Sequence, residues 1–415
     1  MDSTDLNLLD QLYLHLDRED EPWSVHLELA VEGEIDEGRF RDAVLTGMRA
    51  HPIARAGLRR ALPTDVRYHW DIADDVDDVP LEVIACENDA SLDLARERLL
   101  SHSPPLESAP PFALTLAHHP GGDVVILNLA HAAGDGMSAV RLMASFLRAY
   151  AGESDPVPEV NPLEVRDIAR LVNTRSLRAR LARGATLVEQ TGRLAEPPAR
   201  IAPQGARDEP GYGFTLLRLD SSELERVQSH RREGATVNDV LLAGLGVSIA
   251  QWNDHHDAPG GPVSVMMPVN LRPAEWRNDV VGNFASYVSV RFAPSELLDL
   301  PAAVSAARAR TREIKRRDAA GLVVDLLELP TATLPTAVKR RFQDLITLTG
   351  DRFVDTSVLS NLGRLEGVPR LGGTAGKVKS VWFSPAGANA ARRLARRGHI
   401  QRRVVPVPAL PPRSL

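Results

Sequence analysis

The chain reads Leu127-Asn128-Leu129-Ala130-His131-Ala132-Ala133-Gly134-Asp135-Gly136-Met137-Ser138 where its hydrophobic period changes. Upstream, residues 124–130 are apolar and rich in β-branched side chains, as a central strand requires. Residues 112–117 supply a second arm, with Pro120-Gly121-Gly122-Asp123 between them, so a hairpin is expected. Downstream, Val140, Met143, Leu147 and Tyr150 recur at helical spacing. They predict a helix over 136–150 with Gly152 as its C-cap. His131 therefore falls at the end of a strand and Asp135 at the start of a helix.

A strand end projects a side chain into whatever cleft lies beyond the sheet. An imidazole there, with an ordinary pKa of roughly 6.5, can accept a proton near neutral pH. Gly136 lets the backbone turn tightly, with no Cβ in the way. The same residues carry a structural reading. A histidine at a strand end often only packs, and an aspartate before a helix often only caps it. The pattern alone leaves both open. Gly134 and Gly136 do not make a phosphate loop, because the Lys-Ser/Thr ending is missing.

Outward from this point the chain divides. With 415 residues it is long enough for two lobes with cores of their own. Residues 1–160 form the first, with a mixed segment at 8–16, a strand at 25–31, and helices at 35–50 and 92–100. Residues 161–207 are rich in Pro, Arg and Glu and read as a connection, with a helix possible at 171–194. A second lobe spans 208–387. Strands are expected there at 214–219, 263–269 and 285–292, with helices at 221–228 and 236–252. Val237, Leu241, Leu245 and Ile249 form the apolar stripe of the last helix. Strands and helices alternate in both halves, which predicts α/β layers.

Composition narrows the function. A net charge of −6 argues against a general nucleic-acid binder. The single cysteine, Cys86, cannot pair internally, so a cytoplasmic setting is the expectation. No Cys/His spacing suggests a metal site. No apolar run reaches the roughly 18 residues of a transmembrane segment, and the acidic start gives no signal peptide. His118-His119 and His255-His256 read as solvated pairs.

The motif resembles the signature of the CoA- or carrier-dependent acyltransferase superfamily. That group includes chloramphenicol acetyltransferase, peptide-synthetase condensation domains, polyketide-associated acyltransferases and wax-ester synthases. Further stretches agree in order: Leu14-His15-Leu16-Asp17, His51-Pro52-Ile53-Ala54-Arg55, Thr236-Val237-Asn238-Asp239, Pro268-Val269-Asn270-Leu271-Arg272, Val281-Gly282-Asn283-Phe284 with Arg291, Ser360-Asn361-Leu362-Gly363 and Val381-Trp382-Phe383-Ser384. The resemblance covers about residues 8–386 and implies two chloramphenicol acetyltransferase-like lobes, each a mixed sheet with flanking helices, meeting at a tunnel. It implies His131 as general base in an HxxxDG motif with Asp135 and Gly136. Asp135 would pair with an arginine, Arg272 first and Arg291 second. Asn283 would line the acceptor channel or donate to the oxyanion; Ser360 and Asn361 would touch the donor or hold a crossover strand. The donor would be acyl-CoA or an acyl group on the phosphopantetheine of an acyl carrier protein, the acceptor a small alcohol or amine. No cofactor stays bound. A condensation-type enzyme fits better than a triacylglycerol synthase.

Two features depart from that pattern. Many members carry paired histidines where this chain has Ala130-His131. Residues 388–415 are basic and Pro-rich, with six arginines among 392–403 and no acidic residue. Such a tail either docks an acidic partner or replaces the usual terminus after a late frame shift, which would leave the second lobe incomplete. These departures keep a second hypothesis in view: a non-catalytic module that binds an acyl carrier. A third, an α/β domain without acyl chemistry, is separated by whether His131 lies between lobes.

Overall fold

The computed structural model describes residues 2–18, 22–76, 78–172, 176, 178, 180–181, 183–184, 196–203, 213–231, 234–341, 354–363, 365, 371–384 and 401–404. Seven successive apolar or amide residues, Val124–Ala130, form β7, and all seven are buried. That run is buried on both faces because β7 lies at the centre of a five-stranded sheet. The order is β12-β2-β7-β6-β5, with β2 at Ser24–Val31, β5 at Leu81–Ala85, β6 at Phe112–His118 and β12 at Val378–Ser384. The β6–β7 hairpin is antiparallel with Leu114 opposite Leu127, and Gly122 takes a positive φ of 106° in its turn, a conformation glycine adopts without strain.

Helices sandwich this sheet. Val25, Leu27 and Leu29 of β2 share a core with Val125, Leu127 and Leu129 of β7, packed under α2 (Glu37–Ala50) and α4 (Gly136–Ala151). These two helices approach closely at Gly47, where a Cβ would sit 2.5 Å from Phe146. The other face, with Val124 and Ile126, meets Leu92 of α3 (Asp89–Leu100). Three short strands that the hydrophobic pattern does not reveal, β1 (Asp2–Asp5), β3 (Ala56–Leu58) and β4 (His69–Ile72), make a small sheet beside it.

The second lobe is built on β9 (Val263–Asn270) and β10 (Ala285–Phe292), antiparallel, with β11 (Ser357–Val358) parallel to β9. Helix α7 (Val237–His255) and α8 (Leu300–Arg316) cover them. Thr236 and Asp239 form the capping box of α7, and Thr311 of α8 donates to Asp239 at 2.7 Å. The expected stripe of α7 is rotated. Ala243, Gly246 and Ile249 are buried, while Val237, Leu241 and Leu245 are half-buried. The reason is size: at Gly246 a Cβ would meet Leu297 at 3.0 Å, so the small-residue face seats closest. The connection adds a short helix, α5 (Ile168–Leu171), and the second lobe α6 (Ser221–Ser229), α9 (Gly321–Thr333) and α10 (Thr336–Lys339).

The division at residue 208 needs one correction. Strand β12, placed by sequence in the second lobe, pairs antiparallel with β2 of the first, Phe383 opposite Leu27. The pairing covers an edge of β2 that would otherwise expose its hydrogen-bonding groups. Most of 171–194 and of 388–415 lies outside the described residues. Gln401–Val404 (β13) runs parallel to β8 (Gly213–Leu216). Among the described residues no helix is long and apolar enough to cross a membrane, and no group of three His, Cys, Asp or Glu side chains is placed to hold a metal.

Candidate active site

Strand β7 ends at Ala130, and the backbone N–H of His131 donates to the carbonyl of Trp23 at 3.0 Å. This ties the histidine to the approach to β2. The imidazole is 8% exposed. One face stacks almost parallel on Tyr13 of α1 (Leu8–Leu16), with centroids 3.7 Å apart and 7° between planes. Trp23 lies at 6.3 Å, tilted by 43°. Burial pushes the His131 pKa down to about 4, against the opposing pull of the backbone of His131 and Gly134 and of the Asp135 carboxylate. The ring is therefore neutral at physiological pH, the form a general base needs.

Asp135 caps α4 and also reaches the other lobe. Its Oδ1 accepts from the Ser138 N–H at 3.0 Å. Its Oδ2 accepts from Arg272 Nη1 at 2.6 Å and from the Phe284 N–H at 2.9 Å. Burial alone would raise its pKa; the charge and hydrogen bonds of Arg272, with the Phe284 and Ser138 N–H groups, outweigh that and hold it below the usual carboxylate value. Arg272 is fully buried. Its Nη2 donates to the Gly282 carbonyl at 2.8 Å and to Ser138 Oγ at 2.9 Å, and its guanidinium lies 4.4 Å from the Phe284 ring centroid. The Ser138 hydroxyl donates to the Gly282 carbonyl at 2.6 Å. Asp135 thus caps α4 through Oδ1 and pairs with Arg272 through Oδ2.

The remaining candidates separate clearly. Asn283 Nδ2 donates to the carbonyl of His131 at 2.8 Å. Its observed task is to fix the histidine backbone across the seam; an oxyanion contact would have to use the second Nδ2 hydrogen. Arg291 is not an Asp135 partner. It points away, to Glu196 at 2.9 Å on an exposed surface, because alternation along β10 puts it on the face opposite the buried Val290 and Phe292. Asn361 is exposed and accepts from the Gly363 N–H at 2.8 Å. It closes its own turn, while Ser360 is half-buried beside it.

Gly136 has a role the sequence reading misplaces. It takes no positive φ, so tight turning is not what selects it. A Cβ there would lie 2.8 Å from Leu362 and 2.9 Å from Phe383. The residue is small because two long-range side chains press on the start of α4. Gly136→Ala is expected to lower stability by about 1–3 kcal/mol through overpacking, measured as a reduced urea midpoint. An unchanged midpoint would show that Leu362 and Phe383 can yield.

Tyr13 and Trp23 are the ring neighbours of His131 that the sequence pattern does not reveal. The α1 segment buries polar side chains, so it lacks a clean apolar stripe. Asp10 is fully buried, pairs with Arg166 and accepts from Trp70 Nε1 at 3.2 Å. Asn7 Nδ2 donates to the Asn283 carbonyl at 3.0 Å, and the Tyr13 hydroxyl to the Ala285 carbonyl at 3.1 Å. Helix α1 thus bolts the first lobe to the loop and strand that face His131. A separate concavity, lined by His26, Glu28, Arg96, Phe214 and Trp382, opens on the α3 face of the sheet, away from this cluster.

Buried histidines also set an acid limit on the fold. Burial, first of all causes, lowers His15 to about 4, His51 to about 3 and His131 to about 4. Below about pH 6.5 the unfolded chain binds protons that these native rings refuse, so stability falls with pH. Asp10 acts oppositely. Burial lifts it to about 6, so between that pH and its unfolded value it adds stability as pH falls. Asp17, also raised by burial, acts in the same direction as Asp10, but the three rings outweigh the two carboxylates: the urea midpoint is expected to be lower at pH 5 than at pH 7. An equal or higher midpoint at pH 5 would contradict the buried, neutral state of these rings.

The architecture is a pair of α/β lobes that place a buried histidine and an aspartate–arginine clasp at their seam. The Condensation domain family model matches residues 11–334, and the chain belongs to that family, whose work is condensation-type acyl transfer. An uncharacterized protein of Mycobacterium tuberculosis, present in two strains, is 38% identical over 385 residues, covering 92% of this chain and 88% of the relative. The first condensation domain of the calcium-dependent antibiotic synthetase, solved with a substrate analogue, superposes with a TM-score of 0.66 at 13% identity. The match covers 94% of this chain and 87% of that one. The condensation domain of Monacolin K polyketide synthase gives 0.57 at 14% identity, with the same coverage. A cyclization-docking bidomain of a peptide synthetase from Sorangium cellulosum gives 0.57 at 16%, covering 92% and 75%. These solved structures share the fold of two chloramphenicol acetyltransferase-like lobes.

Proposed function

We propose that this protein transfers an acyl group from a thioester to a hydroxyl or amine acceptor, with His131 as general base. The observation that carries the reading is the buried imidazole at the lobe seam, stacked on Tyr13 and set beside the Asp135–Arg272 clasp. The acceptor gives its proton to the imidazole while its lone pair attacks the thioester carbonyl carbon. The resulting oxyanion collapses, the C–S bond breaks, and the departing thiolate recovers the proton from the imidazolium. No acyl-enzyme is required. Ser138 is engaged with Gly282, Arg272 and Asp135 and is not free to act as a nucleophile. General-base assistance of this kind is worth roughly 10²- to 10⁴-fold.

The donor in this proposal carries its acyl group on phosphopantetheine, either in CoA or on a carrier protein. The test is thiol release from a panel of acyl-CoA and acyl-carrier thioesters, with and without mixed alcohol and amine acceptors. Acceptor-dependent release from any pair supports the proposal and names the substrate class. Binding of an acyl carrier with no release from any donor would replace it by the non-catalytic carrier-binding module.

A further inference from the structure

We propose that Tyr13 is a positioning residue for His131. Its ring fixes the orientation of the imidazole, and its hydroxyl ties that orientation to the second lobe. The inference rests on the acyl-transfer reading above and adds a residue to it. A histidine ring at a strand end is free to rotate about χ2 unless something covers it. The clasp of Asp135 and Asn283 holds the backbone around His131, not its ring. Nδ1 is buried and closes no hydrogen bond of ordinary geometry; besides the stack, the backbone of His131 and of Gly134 draws on the ring. The close contact on a ring face is Tyr13, at 3.7 Å and 7°.

Tyr13 is itself held from both lobes. It is 5% exposed and stands one turn from Asp10, whose partner Arg166 lies against Gly282. Its hydroxyl donates to the Ala285 carbonyl at the start of β10. Burial, reinforced by Tyr287 and Asp135, raises its pKa, so the phenol stays protonated and remains a donor. Asp135 from α4 and Tyr287 from β10 are the titratable neighbours that bear on the pair. A shift of β10 relative to the first sheet therefore moves the tyrosine and, through the stack, the imidazole. When the imidazole takes a proton its positive charge forms over the tyrosine π face, an attractive arrangement. Tyr13 thus supports both the orientation of the base and the charge it acquires.

The test uses the full chain with isotope-labelled histidine, comparing wild type, Tyr13→Phe and Tyr13→Leu. NMR titration of the His131 ring reads its environment without turnover; kcat and KM are measured on an active donor–acceptor pair. Tyr13→Leu opens one ring face and also removes the attractive π face; burial is the first cause of the lowered pKa, so the ring is expected to titrate at higher pH, towards its ordinary value. Its kcat should fall about 100-fold with KM within about threefold, the size expected for a misplaced catalytic group. Tyr13→Phe keeps the stack and loses the tether. Its titration should stay near wild type, and kcat should fall about three- to tenfold, the size of one neutral hydrogen bond. Equal damage in both variants, or a wild-type titration and kcat in folded Tyr13→Leu, would overturn the inference. Should no donor give turnover while the Tyr13→Leu titration still moves, the acyl-transfer reading falls and the hold of Tyr13 on the ring stands.

Discussion

Replacing Asp135 by alanine is expected to destabilise the protein by about 3–5 kcal/mol, because it leaves a buried guanidinium without its counter-charge. Arg272 has no water to retreat to; its side chain is fully buried under Phe284 and the Gly282 carbonyl. The same change removes the cap of α4 and the acceptor for the Phe284 N–H. Whatever folded protein remains should lose about 100-fold in kcat, since the loop carrying His131 is no longer held. The double variant Asp135→Ala with Arg272→Ala should be less damaged than the sum of the two single changes, because it removes both charges. Urea unfolding of the four proteins gives the cycle. The pair also has a pH signature. A carboxylate depressed in the native state contributes its full stability above its unfolded pKa and loses it as pH falls through the lower native value. Wild-type stability and activity in Asp135→Ala would mean that the clasp is ornamental.

His131→Ala is expected to lower kcat by about 10²- to 10⁴-fold with little change in the folded state, since the stack on Tyr13 and the pull of the His131 and Gly134 backbone are the ring's main engagements. The wild-type pH profile carries a second expectation. With the free-enzyme pKa lowered to about 4 by burial, kcat/KM for an alcohol acceptor should stay level down to about pH 5 and drop below it. An acidic limb near 6.5 would mean that the imidazole is solvated, contrary to its burial beneath Tyr13.

Some of this was legible in the sequence and some was not, for physical reasons. The hairpin, β7 and α4 were readable because an apolar run interrupted only by Asn128, a Pro-Gly-Gly turn and a helical stripe each point one way. His131 and Asp135 followed from the junction. The partner of Asp135 did not follow from local pattern, because Arg272 lies 137 residues away; only the family resemblance ranked it first, and it ranked Arg291 next without cause in the strand alternation. Tyr13 was hidden because α1 buries Asp10 and Gln11 beside Tyr13, and polar burial blurs a hydrophobic period. Strand β12 looked like second-lobe sequence because pairing across a lobe boundary leaves no local trace. Gly136 showed that a glycine beside a helix start can be demanded by distant side chains as well as by its own dihedral angles.

Acyl transfer at this site with His131 as base is tested by product formation, followed by mass spectrometry for wild type and His131→Ala, with one donor–acceptor pair at saturating donor and both proteins shown to be folded. Acylated acceptor is expected from the wild type, at least about 100-fold less from the variant, and no acylated protein in either. Equal product from both, or an acyl group found on the protein itself, would contradict it.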